Sequence, residues 1–185
     1  AQKFDMESAL LVPSGTMANL ISVLIHCDRG NEAILGDKSH TFMYEAGGIS
    51  AYGGVHSRQL KNQRDGTIEL HDLRNAIRSK DDHFPETALI CLENTHNRCF
   101  GAPLSLNYIK SVAEIAEEHE LKIHIDGARI FNASVSLNIP VKELVNNTDS
   151  VSFCLSKGLS APVGSLLCGN HKFIGKARRI RKSLG

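Results

Sequence analysis

The sequence predicts an α/β fold, a mostly parallel β-sheet covered by helices. Three observations carry that expectation: short apolar stretches of strand character alternate with segments of helical periodicity, the connections between them are short, and no internal repeat or low-complexity linker breaks the alternation. With 185 residues, 42% hydrophobic and 22% charged, the chain is long enough to bury a sizeable core.

Taken in order, the first helix is expected in VPSGTMANLIS (12–22), where Ser14 and Gly15 precede an apolar face of Met17, Leu20, Ile21 and Leu24. Strands follow at 32–35 (EAIL), 54–60 (GVHSRQL) and 87–92 (TALICL). The clearest helix spans 105–119. Leu106, Ile109, Val112, Ala113 and Ala116 fall on one of its faces, Glu114, Glu117 and Glu118 point away, and Ser105 is its N-cap. LKIHI (121–125) is the next strand. Pro140 opens the helix VKELVNN in the first-turn position, where a missing N–H costs nothing. Strands at 150–155 and 165–168 complete the set, and the basic run 176–182 (KARRIRK) reads as the solvated face of a last helix.

Composition excludes several classes. A net charge of +1 provides no long-range field for nucleic acid or an anionic membrane. Five cysteines, an odd number without CxxC spacing, argue against a disulfide framework or a structural zinc; they are expected to be small core residues in the cytosol or an organelle matrix. No signal peptide, transit sequence or apolar run of transmembrane length is present, and no metal site is expected. Because the chain opens on Ala1 and stops at Gly185 directly after the basic helix, we expect an excerpt, truncated at both ends.

A parallel α/β sheet binds ligands at the carboxyl ends of its strands, which directs attention to three stretches. In FCLSKGLSAPVGS (153–165), an alternating strand delivers Lys157 among Ser156, Gly158 and Ala161, small neighbours that leave room for something flat; a snorkelling surface lysine is the alternative. LKIHIDGARIFNA (121–133) ends an apolar strand at Asp126, a carboxylate that needs a partner, with Arg129 the nearest candidate for a local salt bridge. At PSGT (13–16) the backbone amides of a helix start favour an anion, although the same residues make an ordinary N-cap. Neither GxGxxG nor a P-loop occurs, which disfavours a dinucleotide or P-loop nucleotide. One cofactor answers all three features. Pyridoxal phosphate needs a lysine for its Schiff base, an acid to keep its ring nitrogen protonated and backbone donors for its phosphate.

The stretches PSGTMAN, HTFMYEAGG, LENTHN, HIDGARIFNA and LSKGLSAPVGS, in this order and spacing, resemble the low-specificity L-threonine aldolases. These are lyases of the aspartate-aminotransferase fold, fold type I of the pyridoxal-phosphate enzymes, and the resemblance spans essentially the whole chain. It implies that Lys157 forms the Schiff base, that Asp126 holds the pyridinium proton, and that Ser14, Gly15 and Thr16 bind the phosphate. His40 would lie flat against the ring, with Glu45 nearby in a structural part. His96 would stand near the substrate hydroxyl as proton acceptor, directly, through a water or only by positioning, a plain loop histidine being the alternative; Glu93 and Asn94 either orient the site or merely finish the strand. Arg129 would approach the cofactor oxygen or the substrate carboxylate. His124 either supports Asp126 or is a satisfied core histidine. The implied reaction is retro-aldol cleavage of L-threonine or L-allo-threonine to glycine and acetaldehyde, a step of threonine catabolism and glycine formation.

The resemblance further implies that residues 1–185 are part of a pyridoxal-phosphate-binding large domain. A small C-terminal domain, absent here, would carry another arginine for the substrate carboxylate. Homodimers or homotetramers with shared active sites, a small-molecule amino-acid substrate, and a cytoplasmic or organelle-matrix location are expected. The rival readings are another fold-type-I enzyme, an aminotransferase or β-eliminating lyase, and a non-catalytic cofactor-binding fragment.

Overall fold

The structure, a computed structural model, describes residues 1–185. In chain order its regular elements are β1 (Ser8–Val12), α1 (Gly15–His26), β2 (Glu32–Gly36), α2 (His40–Met43), α3 (Gly48–Ala51), β3 (His56–Leu60), α4 (Leu70–Ala76), β4 (Thr87–Glu93), α5 (Leu106–Glu118), β5 (Lys122–Asp126), α6 (Ile130–Leu137), α7 (Val141–Val145), β6 (Ser150–Cys154), β7 (Ser165–Gly169) and α8 (His171–Leu184). No helix is long and apolar enough to cross a membrane.

The strands form a seven-stranded sheet in the order β1-β7-β6-β5-β4-β2-β3. The pairs β3/β2, β2/β4, β4/β5 and β5/β6 are parallel; β6/β7 and β7/β1 are antiparallel. The expected α/β class and mostly parallel sheet are therefore present, with an antiparallel edge. β1 is absent from the expected strands. Its sequence SALLV has no clear alternation, and it pairs through β7, more than 150 residues further along the chain, so only that contact defines it.

Local chemistry starts the helices as expected. Ser14 caps α1 by accepting from Met17 N at 3.1 Å, and Ser105 caps α5 by accepting from Tyr108 N at 3.2 Å. Asn170 caps α8, accepting from Phe173 N at 2.7 Å. Lys176, Arg178, Arg179 and Lys182 are exposed along α8 while Phe173, Ile174 and Ala177 are buried, so the basic run is a solvated helix face. Pro140 sits at the N-cap of α7, one place before the expected first-turn position, which its lack of N–H also permits.

Helices cover both faces of the sheet. On one face, Ile34, Ile90, Leu92, Ile123, Ile125, Val151 and Phe153 pack with Leu73 of α4, Ile109, Val112 and Ile115 of α5 and Leu144 of α7. On the other, α1, α3 and α8 cover Ala33, Leu35, Leu89, Leu10 and Leu167. All five cysteines are free and buried. The helix α1 lies over β5 and β6, and its cover is not wholly apolar: Asn19, Ser22, His124, Asp126, Ser150 and Ser152 are all buried between these elements. A period-two strand ordinarily turns its polar side to water, whereas here both sides of β6 are buried and the polar residues satisfy one another.

Candidate active site

The parallel strands point their carboxyl ends in one direction, and four of the five bring a candidate site residue there. His40 follows β2, Glu93 ends β4, Asp126 ends β5, and Lys157 follows β6. A cavity of about 210 Å³ is lined by His40, Glu93, Thr95, Asn97, Asp126, Ala128, Arg129 and Lys157. A larger groove of about 1020 Å³ lies at the opposite, amino ends of β4 and β5, between Arg78, Glu86, Thr87 and Lys122, and shares none of these groups.

Asp126 is 5% exposed. Adjacent strands hold its backbone: Asn94 N donates to its carbonyl at 2.8 Å, and Gly127 N donates to Ser152 O at 2.9 Å. Its carboxylate accepts from Ala128 N through Oδ1 at 3.1 Å and from Asn19 Nδ2 through Oδ2 at 2.9 Å. Arg129 is not its partner, contrary to the local salt-bridge expectation. The chain turns at the start of α6, and Arg129 reaches across the pocket to Asn97 Oδ1 at 3.4 Å instead.

His40 and Glu45 form a second pair. Nδ1 of His40 lies 2.9 Å from Glu45 Oε1, which also accepts from Asn19 Nδ2 at 2.8 Å. The hydrogen bond to Glu45 raises the His40 imidazole above its ordinary value, while burial raises the Glu45 carboxyl. Ligand-type atoms of His40, Glu45 and Asp126 fall within 4.8 Å of one another, and the Asn19 amide donates between the two carboxylates.

Glu93 is buried, and both of its oxygens are held by backbone donors, His40 N at 2.7 Å and Asn97 N at 2.9 Å. Burial, with Asp126 alongside, pushes its carboxyl up to about 7. The folded state therefore holds this proton more tightly than the unfolded chain across the window from 4.5 to about 7, so Glu93 costs stability as pH rises through it. Glu93→Gln in the full-length protein removes that pH-dependent cost, while the loss of one acceptor oxygen for a backbone donor applies at every pH. In denaturant unfolding at pH 5 and pH 8, the stability of the variant relative to wild type should improve by up to about 3 kcal/mol at the higher pH. A difference independent of pH would show that Glu93 carries no such shift.

The structure does not bring every expected residue to the cavity. His96 is 1% exposed and both of its ring nitrogens lack a hydrogen-bond partner; the nearer carboxylate oxygen, Glu93 Oε2, is 4.0 Å from Nε2. Burial lowers its imidazole. The turn at Gly66 closes over it: Gly66 has φ +86°, and a Cβ there would stand 2.7 Å from His96 Cβ. Ser14, Gly15 and Thr16 sit at the start of α1 beside the end of β6, where a Cβ on Gly15 would lie 3.1 Å from Cys154 Sγ. They do not line the cavity, and Ser14 Oγ is engaged in capping.

His124 makes no hydrogen bond to Asp126. Its Nε2 lies 3.1 Å from Asn19 Oδ1, and Asn19 in turn donates to Asp126. Asn19, Asn97 and Thr95 escape a reading based on strand ends. Asn19 leaves one sequence signal: Asn19, Ser22 and His26 recur at i, i+3 and i+7, a polar stripe along an otherwise apolar helix.

Comparison with known proteins places the chain among relatives. The family model described as beta-eliminating lyase matches residues 1–185. The chain is 60% identical over 182 residues to a protein of Arabidopsis thaliana named probable low-specificity L-threonine aldolase 2, covering 97% of this chain and 51% of that protein. It is 44% identical over 185 residues to the low specificity L-threonine aldolase of Escherichia coli K12, covering 100% and 55% respectively. The crystal structure of a putative L-allo-threonine aldolase from Listeria monocytogenes superposes with a TM-score of 0.88 at 24% identity, over 100% of this chain and 50% of that one, and so shares the fold. The chain spans about half the length of the curated relatives it matches.

Proposed function

We propose, from the premise that this chain belongs to the beta-eliminating lyase family, that it carries the cofactor-binding core of a pyridoxal-phosphate-dependent aldehyde lyase. The substrates are L-threonine and L-allo-threonine, and the products glycine and acetaldehyde. The reading rests on one observation: a lysine, a buried carboxylate, a histidine and an arginine converge in a single cavity at the carboxyl ends of parallel strands. The relatives named L-threonine aldolase support the substrate class.

The residues fit the cofactor by their donor set. Lys157 would hold it covalently through Nζ, Asp126 would keep its ring nitrogen protonated, and the free amides of Gly15 and Thr16 at the start of α1 would take its phosphate. When bound, pyridoxal phosphate supplies an electron sink for the pair released as the Cα–Cβ bond breaks. His40, with Nδ1 committed to Glu45, would cover the ring, and Arg129 would bind an anionic oxygen of cofactor or substrate. The β-hydroxyl proton needs an acceptor. Glu93, which lines the cavity with its carboxyl pushed up to about 7, and His96, which the Gly66 turn must release before its free ring nitrogens reach the cavity, are the two candidates.

Residues 1–185 would then form part of a large domain, with a small C-terminal domain and a neighbouring subunit completing the substrate site. Phe42, Met43 and Tyr44, shortly after His40, are exposed, which suits an oligomer with shared sites. Buried free thiols suit the cytosol or an organelle matrix.

Product analysis on the full-length protein tests the reading. Protein loaded with pyridoxal phosphate should absorb in the visible, be bleached by borohydride with label on Lys157, and release acetaldehyde and glycine from L-threonine. A 2-oxo acid with aminated cofactor would indicate an aminotransferase. Ammonia and a 2-oxo acid would indicate β-elimination, the chemistry named in the family description. Either overturns the aldolase assignment.

A further inference from the structure

Behind the cavity, on the sheet face covered by α1, a continuous chain of polar side chains, buried as far as Ser150 and ending at the half-buried His26, leads away from Asp126. Asn19 spends its two Nδ2 hydrogens on Glu45 Oε1 (2.8 Å) and Asp126 Oδ2 (2.9 Å). Its Oδ1 accepts from Ser152 Oγ at 2.8 Å and lies 3.1 Å from His124 Nε2. His124 Nδ1 is 2.9 Å from Ser150 Oγ, which is 2.8 Å from His26 Nε2. His26 stacks on Phe173, with centroids 4.8 Å apart, and lines the groove at the opposite end of the sheet.

The donor directions follow from the carboxylates. Both accept, so the Asn19 NH₂ must face them and its oxygen must face His124. His124 therefore carries its hydrogen on Nε2. Burial lowers its imidazole to about 3 and that of His26 to about 4, so both rings are neutral. Nδ1 of His124 then accepts from the Ser150 hydroxyl, and Ser150 Oγ accepts from His26 Nε2–H. Reversing any link sets two donors or two acceptors face to face in a buried seam. The charged groups that act on His26 are Asp149, which favours its protonation, and Lys122 and Lys176, which oppose it.

We propose that Asn19 is a positioning residue: its amide fixes Asp126 and Glu45 together, and a one-way hydrogen-bond chain through Ser152, His124, Ser150 and His26 locks the orientation of that amide. The chain clamps the carboxylate from behind and leaves its remaining lone pairs to the cavity. What this does for a bound cofactor rests on the function proposed above, whereas the hydrogen-bond directions do not.

The test uses full-length protein labelled with ¹⁵N-histidine, with signals assigned through His26→Gln and His124→Gln. Multiple-bond ¹⁵N–¹H spectra without cofactor should show both rings neutral with the hydrogen on Nε2 between about pH 6 and 8. An Nδ1–H tautomer at either ring, or titration of His124 in that range, overturns the chain. Asn19→Asp keeps an oxygen for His124 and Ser152 but offers at most one hydrogen to the two carboxylates. It should leave the His124 tautomer unchanged and weaken pyridoxal phosphate binding, read from the visible band, by about 10- to 100-fold. Unchanged affinity overturns the positioning role. A wild-type protein that never binds pyridoxal phosphate overturns the proposed function, and the tautomers then still decide the hydrogen-bond chain.

Discussion

Lys157→Ala in the full-length protein is expected to abolish covalent capture of pyridoxal phosphate: no borohydride-trapped adduct should form, and cleavage of L-threonine should fall by about 10,000-fold or more, the scale of deleting a nucleophile from a cooperative site. Lys157 stands three residues beyond β6, in a turn where its carbonyl accepts from Ser160 N at 2.9 Å. That backbone bond survives the substitution, and the side chain belongs to no part of the hydrophobic core, so thermal unfolding without cofactor should be unchanged. Lys157→Arg tests the chemistry more narrowly, because a guanidinium keeps the positive charge but does not act as a neutral amine nucleophile. If either variant retains turnover within tenfold of wild type, the covalent role of Lys157 is wrong.

Asp126→Asn separates binding from chemistry. The amide has nearly the same shape but cannot hold a ring-nitrogen proton by charge, so the variant should still form the visible band through Lys157 while turnover drops by about 10,000-fold, as when an orienting carboxylate becomes an amide. It carries a structural cost as well. Asp126 accepts from Ala128 N and from Asn19 Nδ2 on different oxygens, and an asparagine has only one acceptor oxygen. One buried donor loses its partner, which should cost about 1–3 kcal/mol in denaturant unfolding without cofactor. Turnover near wild type in a protein so destabilised would leave Asp126 a structural residue and remove the electrostatic basis of the proposed function.

The strand ends that carry these two residues were legible because the signals are local. Apolar runs stop at Asp126 and shortly before Lys157, and small or turn-forming residues follow both, so a few neighbouring letters suffice to place them where a parallel sheet binds ligands. The caps at Ser14 and Ser105 are equally local, since each hydroxyl bonds an amide three residues on.

What surrounds those residues was not legible. Arg129, three places from Asp126, looked like its partner, but the actual partner on that carboxylate oxygen is Asn19, 107 positions away. His96 sits in a polar stretch that reads as a loop near the substrate, yet the Gly66 turn buries it. The serines of β6 read as one side of an alternating strand and instead complete a buried polar seam under α1.

By itself, then, the sequence determined the α/β class, the helix starts and the strand tips bearing Asp126 and Lys157, because backbone periodicity and capping act over a few residues. The tertiary structure alone decided the antiparallel edge made by β1, the pairing of each carboxylate and the access of each histidine, because a buried polar group takes whichever partner the packing of distant segments brings within hydrogen-bond reach.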